Sequence, residues 1–126
     1  MIRQMMKSKI HRATVTDANL DYEGSIGIDP VLMEAVGIVE YEKVHVLDIT
    51  NGNRLETYTI RGVPNTGEIC INGAAANLVN TGDLVIILSY CLVSNEELLE
   101  FKPSIVLVDK NNNIKKMSHS INLTLN

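Results

Sequence analysis

Asn51-Gly52 lies between two segments of apolar and polar alternation, Val44-His45-Val46-Leu47-Asp48-Ile49 and Leu55-Glu56-Thr57-Tyr58-Thr59-Ile60. An Asn-Gly pair in such a setting is a strong hairpin signal, because it supplies the backbone angles that a reversal between strands needs. A hairpin must find further strands to pair with, and the sequence offers them at short intervals. Residues 10–16, 68–71, 84–93 and 104–108 are short and rich in β-branched and aliphatic residues. The polar turn at 109–113 leads into a weaker final strand at 114–117. Helices are few. Asp29-Pro30, then six residues and Gly37, supplies an N-cap, a proline at the first helical position and a terminating glycine. Residues 74–79 and 95–99 are shorter candidates. Six short strands in 126 residues predict a mainly β chain, closed or nearly closed into a small barrel.

One domain is expected over 1–126, without linker, repeat or low-complexity segment. A chain of this size buries around two-thirds of its unfolded surface and needs no metal or disulfide staple. Aromatic residues make up 4% and Trp is absent, so the core must be aliphatic. The net charge of −4 argues against a nucleic-acid partner, which demands a clustered basic surface. Cys70 and Cys91 sit in apolar runs and read as reduced, buried thiols. The start of the chain lacks the apolar run of a secretory signal, and the longest apolar run, 84–88, is too short to span a bilayer. The expectation is a cytoplasmic protein with no membrane partner. Without a secretory signal, the sequon Asn122-Leu123-Thr124 means little. The last few residues are expected to fray.

Familiar site chemistries are missing. A hydrolase elbow needs glycine two residues before its serine, and Glu23 stands there before Ser25. His11, His45 and His119 are far apart and lack clustered ligand partners, so no metal is expected. Gly24-Ser25-Ile26-Gly27 is too short for a phosphate loop. It contains, however, a Gly–Ser bond that can rearrange when held in a turn. The serine hydroxyl attacks the preceding carbonyl, the amide becomes an ester, and elimination splits the chain. The dehydroalanine left downstream hydrolyses to a pyruvoyl ketone. Gly24 has no Cβ to block the attack and tolerates angles other residues avoid. Taken alone, Gly24-Ser25 is more often a surface turn.

Its setting is Lys9-Ile10-His11-Arg12, Tyr22-Glu23-Gly24-Ser25, Thr50-Asn51-Gly52, Arg54, Thr57-Tyr58 and Asn72-Gly73-Ala74-Ala75-Ala76. In that order and spacing the chain resembles the bacterial aspartate 1-decarboxylase family, pyruvoyl enzymes that make β-alanine for pantothenate, a coenzyme A precursor. The likeness continues through Thr81-Gly82-Asp83-Leu84-Val85 to Pro103 and Val108-Asp109. The chain departs from the family at Val63-Pro64-Asn65-Thr66-Gly67, where a more basic loop is usual.

The resemblance implies a six-stranded double-psi β-barrel with a few short helices. It implies a zymogen, self-cleaved between Gly24 and Ser25 into 1–24 and 25–126, whose pyruvoyl group forms a Schiff base with L-aspartate. That built-in ketone does the work pyridoxal phosphate does in other decarboxylases, so neither that cofactor nor a metal is expected. A homotetramer with active sites between neighbours is implied, and the resemblance leaves room for a maturation factor. Tyr58 takes the role of proton donor, which suits a phenol that stays protonated until a strong base appears. Thr57 is assigned near the cleavage site, although a simple pleat sends it to the face opposite Tyr58.

Aspartate brings a carboxylate that must be held, and Arg54 is the better partner because a guanidinium binds it in two-pronged fashion. Lys9 is the second candidate. Gly73, Ala74 and Ala75 offer backbone N–H groups at a helix start, and His11, Tyr22 and Asn72 are candidate pocket walls or processing aids. Two alternatives stand beside this reading. One is a pyruvoyl decarboxylase of another amino acid; the other is a non-enzymatic small β-barrel binding module in which Gly24-Ser25 is only a turn.

Overall fold

The computed structural model describes residues 1–120, so the sequon at 122–124 and the fraying expected of the last residues lie outside the described part. The strands are β1 (Ile2–Thr14), β2 (Asp17–Asn19), β3 (Ser25–Ile28), β4 (Lys43–Asp48), β5 (Arg54–Arg61), β6 (Ile69–Asn72), β7 (Leu84–Ser94), β8 (Ser104–Val108) and β9 (Ile114–Ser118). Two short helices, α1 (Pro30–Val36) and α2 (Asn95–Leu98), and one 3-10 turn, Gly73–Asn77, complete the described elements. The chain is mainly β with few short helices, as its sequence predicts.

The strand count differs from six: nine are present among the described residues. Two of the additional strands, β2 and β3, are three and four residues long. Such pieces carry too little alternation to be read alone, and they exist because their neighbours complete their hydrogen bonding. The third, β9, is the weak terminal strand, with four exposed residues in five.

All nine strands form one sheet in the order β2-β6-β3-β5-β4-β7-β1-β8-β9. Strands β1 and β2 are consecutive in the chain yet stand six places apart in the sheet. Only Val15 and Thr16 join them, and these residues hydrogen-bond to different parts of the molecule. Val15 N–H donates to Asp83 O at 2.9 Å, and Thr16 N–H to Ile69 O at 2.8 Å. The chain thus crosses from one part of the sheet to its far edge, which curls the sheet around a common interior. Ile10, Ile26, Val46, Ile71, Ile87 and Val106, from six different strands, are fully buried in that one aliphatic core. No strand ladder joins β2 to β9 among the described residues, so the ring of ladders is open.

Local signals explain the elements that frame the cleft described below. The Asp29 carboxylate accepts from Val31 N–H at 2.9 Å and caps α1, whose Leu32, Met33 and Val36 enter the core. Gly37 ends the helix at φ +75°, an angle that glycine adopts at no steric cost. The same Asp29 also accepts from Asn65 and Gly67 N–H, and Asn112 Nδ2 donates to Gly67 O at 2.7 Å. These bonds pin the unusual 63–67 loop. The β4–β5 hairpin forms as expected, with Leu47 opposite Arg54. Its loop is closed by Asp48, whose carboxylate accepts from Thr50 and Asn51 N–H.

Candidate active site

Strands β6, β3 and β5 lie side by side, and their registers decide which residues share a face. Ser25 pairs with Asn72 and Gly27 with Cys70 across β3 and β6, while Gly27 pairs with Ile60 across β3 and β5. Because side chains alternate along a strand, one face collects Ser25 and Gly27, Cys70 and Asn72, and Tyr58 and Ile60. Glu68, just before β6, continues the row. All of these but Gly27, with Tyr22 and Glu23 from the preceding turn, line an open cleft of about 480 Å³.

Ser25 is only 4% exposed at the inner wall of this cleft. Its Oγ accepts from Asn72 Nδ2 at 3.0 Å. Asn72 stands where a side chain would cap the 3-10 turn, yet it makes no capping bond and turns to the serine instead. Asn72 Oδ1 in turn accepts from the Cys70 thiol at 3.3 Å. Tyr58 is 39% exposed, with its ring on the cleft side of β5.

Backbone geometry requires glycine at one position near Ser25, Gly73, whereas Gly27 and Gly62 sit against the movable end of the Glu68 side chain. A Cβ on Gly27 would come within 2.8 Å of Glu68 Oε2, and one on Gly62 would collide with the same carboxylate. Gly73 takes φ +74°, and its Cβ would lie 2.7 Å from the Gly24 Cα and N atoms. Its backbone is therefore pressed against the residue that precedes Ser25. Gly24 itself does not take a positive φ, and a Cβ there would meet nothing within 4 Å. The demanding angle is at Gly73, beside Gly24, and neither backbone angle nor space demands glycine at 24 itself.

The charge in the cleft is of one sign. Among the described residues, Glu23 and Glu68 are its only charged lining residues, with no Lys or Arg beside them. Burial pushes the Cys70 thiol pKa up, with the negative charges of Asp17 and Glu68 adding to the shift.

The remaining candidates lie elsewhere on the single chain. Arg54 is at the other end of β5, four residues and about 13 Å from Tyr58, in a separate depression with His45, Leu47, Leu55 and Glu56. It is exposed and has no ion-pair partner among the described residues, whereas neighbouring Glu56 engages Lys43 and His45. Lys9 and His11 sit on β1, opposite Ile105 and Leu107 of β8. His11 Nδ1 is buried without a partner, and burial, followed by Lys9 and Arg12, holds its pKa below the usual value. Thr57 pairs with core residue Val44 and lies on the face away from Tyr58. Gly73, Ala74 and Ala75 form the start of the 3-10 turn.

Ile60, Glu68 and Cys70 were not legible as cleft residues from motifs, and Glu23 stood in a motif without a role of its own. Counting back by twos from Asn72 along a strand finds Cys70 and Glu68, and counting forward from Tyr58 finds Ile60. Among the described residues no group of His, Cys, Asp or Glu is arranged to hold a metal ion, and both cysteines are free. No helix is long and apolar enough to cross a membrane.

Residues 1–115 match the family model described as aspartate decarboxylase. Among similar proteins, the aspartate 1-decarboxylase of Acetivibrio thermocellus is 60% identical over 114 residues, 90% of each chain. That of Caldicellulosiruptor saccharolyticus is 59% identical over 119 residues, 94% of this chain and 93% of the relative. That of Clostridium botulinum (strain Loch Maree / Type A3) is 56% identical over 115 residues, 91% of each.

Proposed function

The chain belongs to the aspartate decarboxylase family, and on that premise we propose that it removes the α-carboxylate of L-aspartate, releasing CO₂ and β-alanine for pantothenate synthesis. It does so in the cytoplasm after cutting itself between Gly24 and Ser25 and converting Ser25 to a pyruvoyl group. One observation carries the reading. Ser25 is buried directly after an unobstructed glycine, with an amide donor on its Oγ, and it opens onto a cleft that also holds a phenol.

The residues fit the group. Self-cleavage moves the Gly24 acyl group from the Ser25 nitrogen to its Oγ; elimination then releases the Gly24 carboxylate, and water replaces the nitrogen as ammonia leaves. Throughout, Gly73 keeps the space beside Gly24 free of side chains, and Asn72 Nδ2 faces the reacting oxygen. A keto oxygen only accepts hydrogen bonds, so a donor such as Asn72 Nδ2 suits the product as well as the precursor. The finished ketone supplies an electron sink for the carbanion that CO₂ leaves behind.

The chain's own residues do the rest. Tyr58, on the same face as Ser25, holds a phenolic proton for delivery to the substrate carbon. The side-chain carboxylate of aspartate needs a cation, and the single-chain cleft offers only Glu23 and Glu68. An exposed, unengaged guanidinium is present at Arg54, too far along β5 to serve its own cleft. This supports a homotetramer in which a neighbour's copy of Arg54 completes the site. Lys9 is the next candidate. Leaving the departing carboxylate free of this clamp avoids stabilising the ground state.

CO₂ release from purified protein across a panel of amino acids tests the reading. Aspartate should be turned over well ahead of glutamate, asparagine and alanine. Preference for another amino acid would make the chain a pyruvoyl decarboxylase of different specificity. An intact chain releasing no CO₂ from any of them would make it a binding module.

A further inference from the structure

Two hydrogen bonds in series lead from strand β6 to Ser25. The Cys70 thiol donates to Asn72 Oδ1 at 3.3 Å, and Asn72 Nδ2 donates to Ser25 Oγ at 3.0 Å. We propose that Cys70 is a positioning residue for self-cleavage, whose thiol fixes which end of the Asn72 amide faces Ser25. This rests on the self-cleavage reading above.

The two ends of a carboxamide have almost the same shape and opposite hydrogen-bonding character. Which end meets Ser25 therefore depends on what meets the other end. In the net N-to-O shift the Oγ proton ends on the Ser25 nitrogen, and as Oγ gives it up and attacks the Gly24 carbonyl, negative charge develops on the oxygen. A donor at 3.0 Å stabilises that charge, and an acceptor in the same place would oppose it. Asn72 is only 7% exposed, so water has little access to correct a reversed amide. Cys70 settles the orientation because a neutral thiol carries a proton to donate. A thiolate has none and would attract the Nδ2 end, turning Oδ1 toward the serine.

The surroundings keep Cys70 in its donating form. It is partly buried on β6, Asp17 of β2 stands opposite it in register, and Glu68 follows on the same row. The β3 residue across from it, Gly27, carries no charge, and neither does Ser25, which pairs with Asn72. Tyr58 of β5 and Tyr22 and Glu23 of the preceding turn face it over the cleft. Burial and the two nearby carboxylates all disfavour the thiolate, and the thiol pKa is raised accordingly.

The test follows newly translated chain by denaturing mass spectrometry and compares the rate of Gly24–Ser25 cleavage in wild type, Cys70→Ser and Cys70→Ala. Cys70→Ala should slow cleavage about fivefold or more, the size of one neutral hydrogen bond. Cys70→Ser restores an O–H donor and should cleave close to the wild-type rate. Wild type should also slow at alkaline pH as the thiol ionises, and Cys70→Ser should lack that component. Equal rates for wild type and Cys70→Ala, or a Cys70→Ser variant as slow as Cys70→Ala, would overturn the role. A second measurement does not depend on cleavage. In uncleaved Ser25→Ala protein, NMR should place the Asn72 amide protons beside the residue-25 methyl and away from Cys70. Adding Cys70→Ala should mix the two orientations; a single unchanged orientation would overturn the proposal. If wild type never cleaves, the self-cleavage reading fails, while the NMR result still decides what Cys70 does.

Discussion

The two ends of strand β5 present different groups, a phenol in the Ser25 cleft at one and an exposed guanidinium at the other. At one end Tyr58 shares with Ser25 a cleft whose only charged lining residues, among those described, are Glu23 and Glu68. At the other end Arg54 stands exposed, without an ion-pair partner among the described residues, in a depression of its own. The first end has a buried serine, an oriented amide and a glycine pressed against the preceding residue. In the proposed self-cleavage these groups act on the chain's own backbone. The second has the one feature the first lacks, a cation shaped for a carboxylate. On the proposed reading, a single chain assembles the parts for making its reactive group, while the carboxylate of a substrate is held by a residue from a neighbouring copy.

Two substitutions on the same strand break this comparison at its two ends. Tyr58→Phe removes only the hydroxyl and leaves the Ser25–Asn72 bond untouched. The protein should still be cleaved, but its turnover should fall by ~10²–10⁴-fold, the usual worth of a general acid. Steady-state kinetics on protein shown to be cleaved checks this, and normal turnover would remove Tyr58 from the proton-donor role. Arg54→Lys, at the other end, keeps the charge and loses the two-pronged geometry. Cleavage should again be normal, with kcat/KM for aspartate lower by about ten- to a hundred-fold, since a charge-assisted hydrogen bond is worth roughly 1.5–3 kcal/mol. Unchanged aspartate kinetics in cleaved Arg54→Lys protein would move the carboxylate clamp to another residue, with Lys9 next to examine.

The smallest expected effect concerns the hairpin that carries both ends. Asp48 closes its turn while 2% exposed, and its Oδ2 has no hydrogen-bond partner. Burial, with Asp83 alongside, pushes its pKa up to about 6. A carboxyl raised in the folded state favours folding while protonated, and this contribution is lost as pH rises from about 4 through about 6. The opposite shift of Asp83 offsets part of it. Asp48→Asn keeps an acceptor for Thr50 and Asn51 N–H and carries no charge. It should stabilise the fold by about 1 kcal/mol at pH 7 and have less effect near pH 4.5. Thermal melts of both proteins at the two pH values give the comparison; a variant no more stable than wild type at pH 7 would contradict it.

Much of the fold could be read from residues whose local chemistry decides their structure. Asp29, Pro30 and Gly37 bound α1 as their capping roles dictate, and Asn51-Gly52 marks a true hairpin. The early half of β1 was not legible, because Gln4, Lys7 and Lys9 interrupt its apolar pattern and its pairing with β7 and β8 sustains it instead. Strand β3 was hidden for a similar reason. Four residues that include Gly27 have little β preference, and β5 and β6 on either side complete their hydrogen bonding. In the site, Ser25, Tyr22, Tyr58 and Asn72 were named and share the cleft. The separation of Arg54 from them was not visible, since closeness in sequence to Tyr58 says nothing about four residues of extended chain. Cys70 and Glu68 belong to no motif, and only the pairing of β6 with β3 turns their side chains toward Ser25.

A denaturing mass spectrum of the mature protein tests the central claim most directly. The account predicts two pieces, residues 1–24 and residues 25–126. The larger should be lighter than a simple hydrolysis fragment by one ammonia replaced at its N-terminus, and it should resist Edman sequencing. Ser25→Ala, which lacks the attacking hydroxyl, should remain one chain and release no CO₂ from aspartate. A single intact wild-type chain that decarboxylates aspartate, or a fully active Ser25→Ala variant, would contradict it.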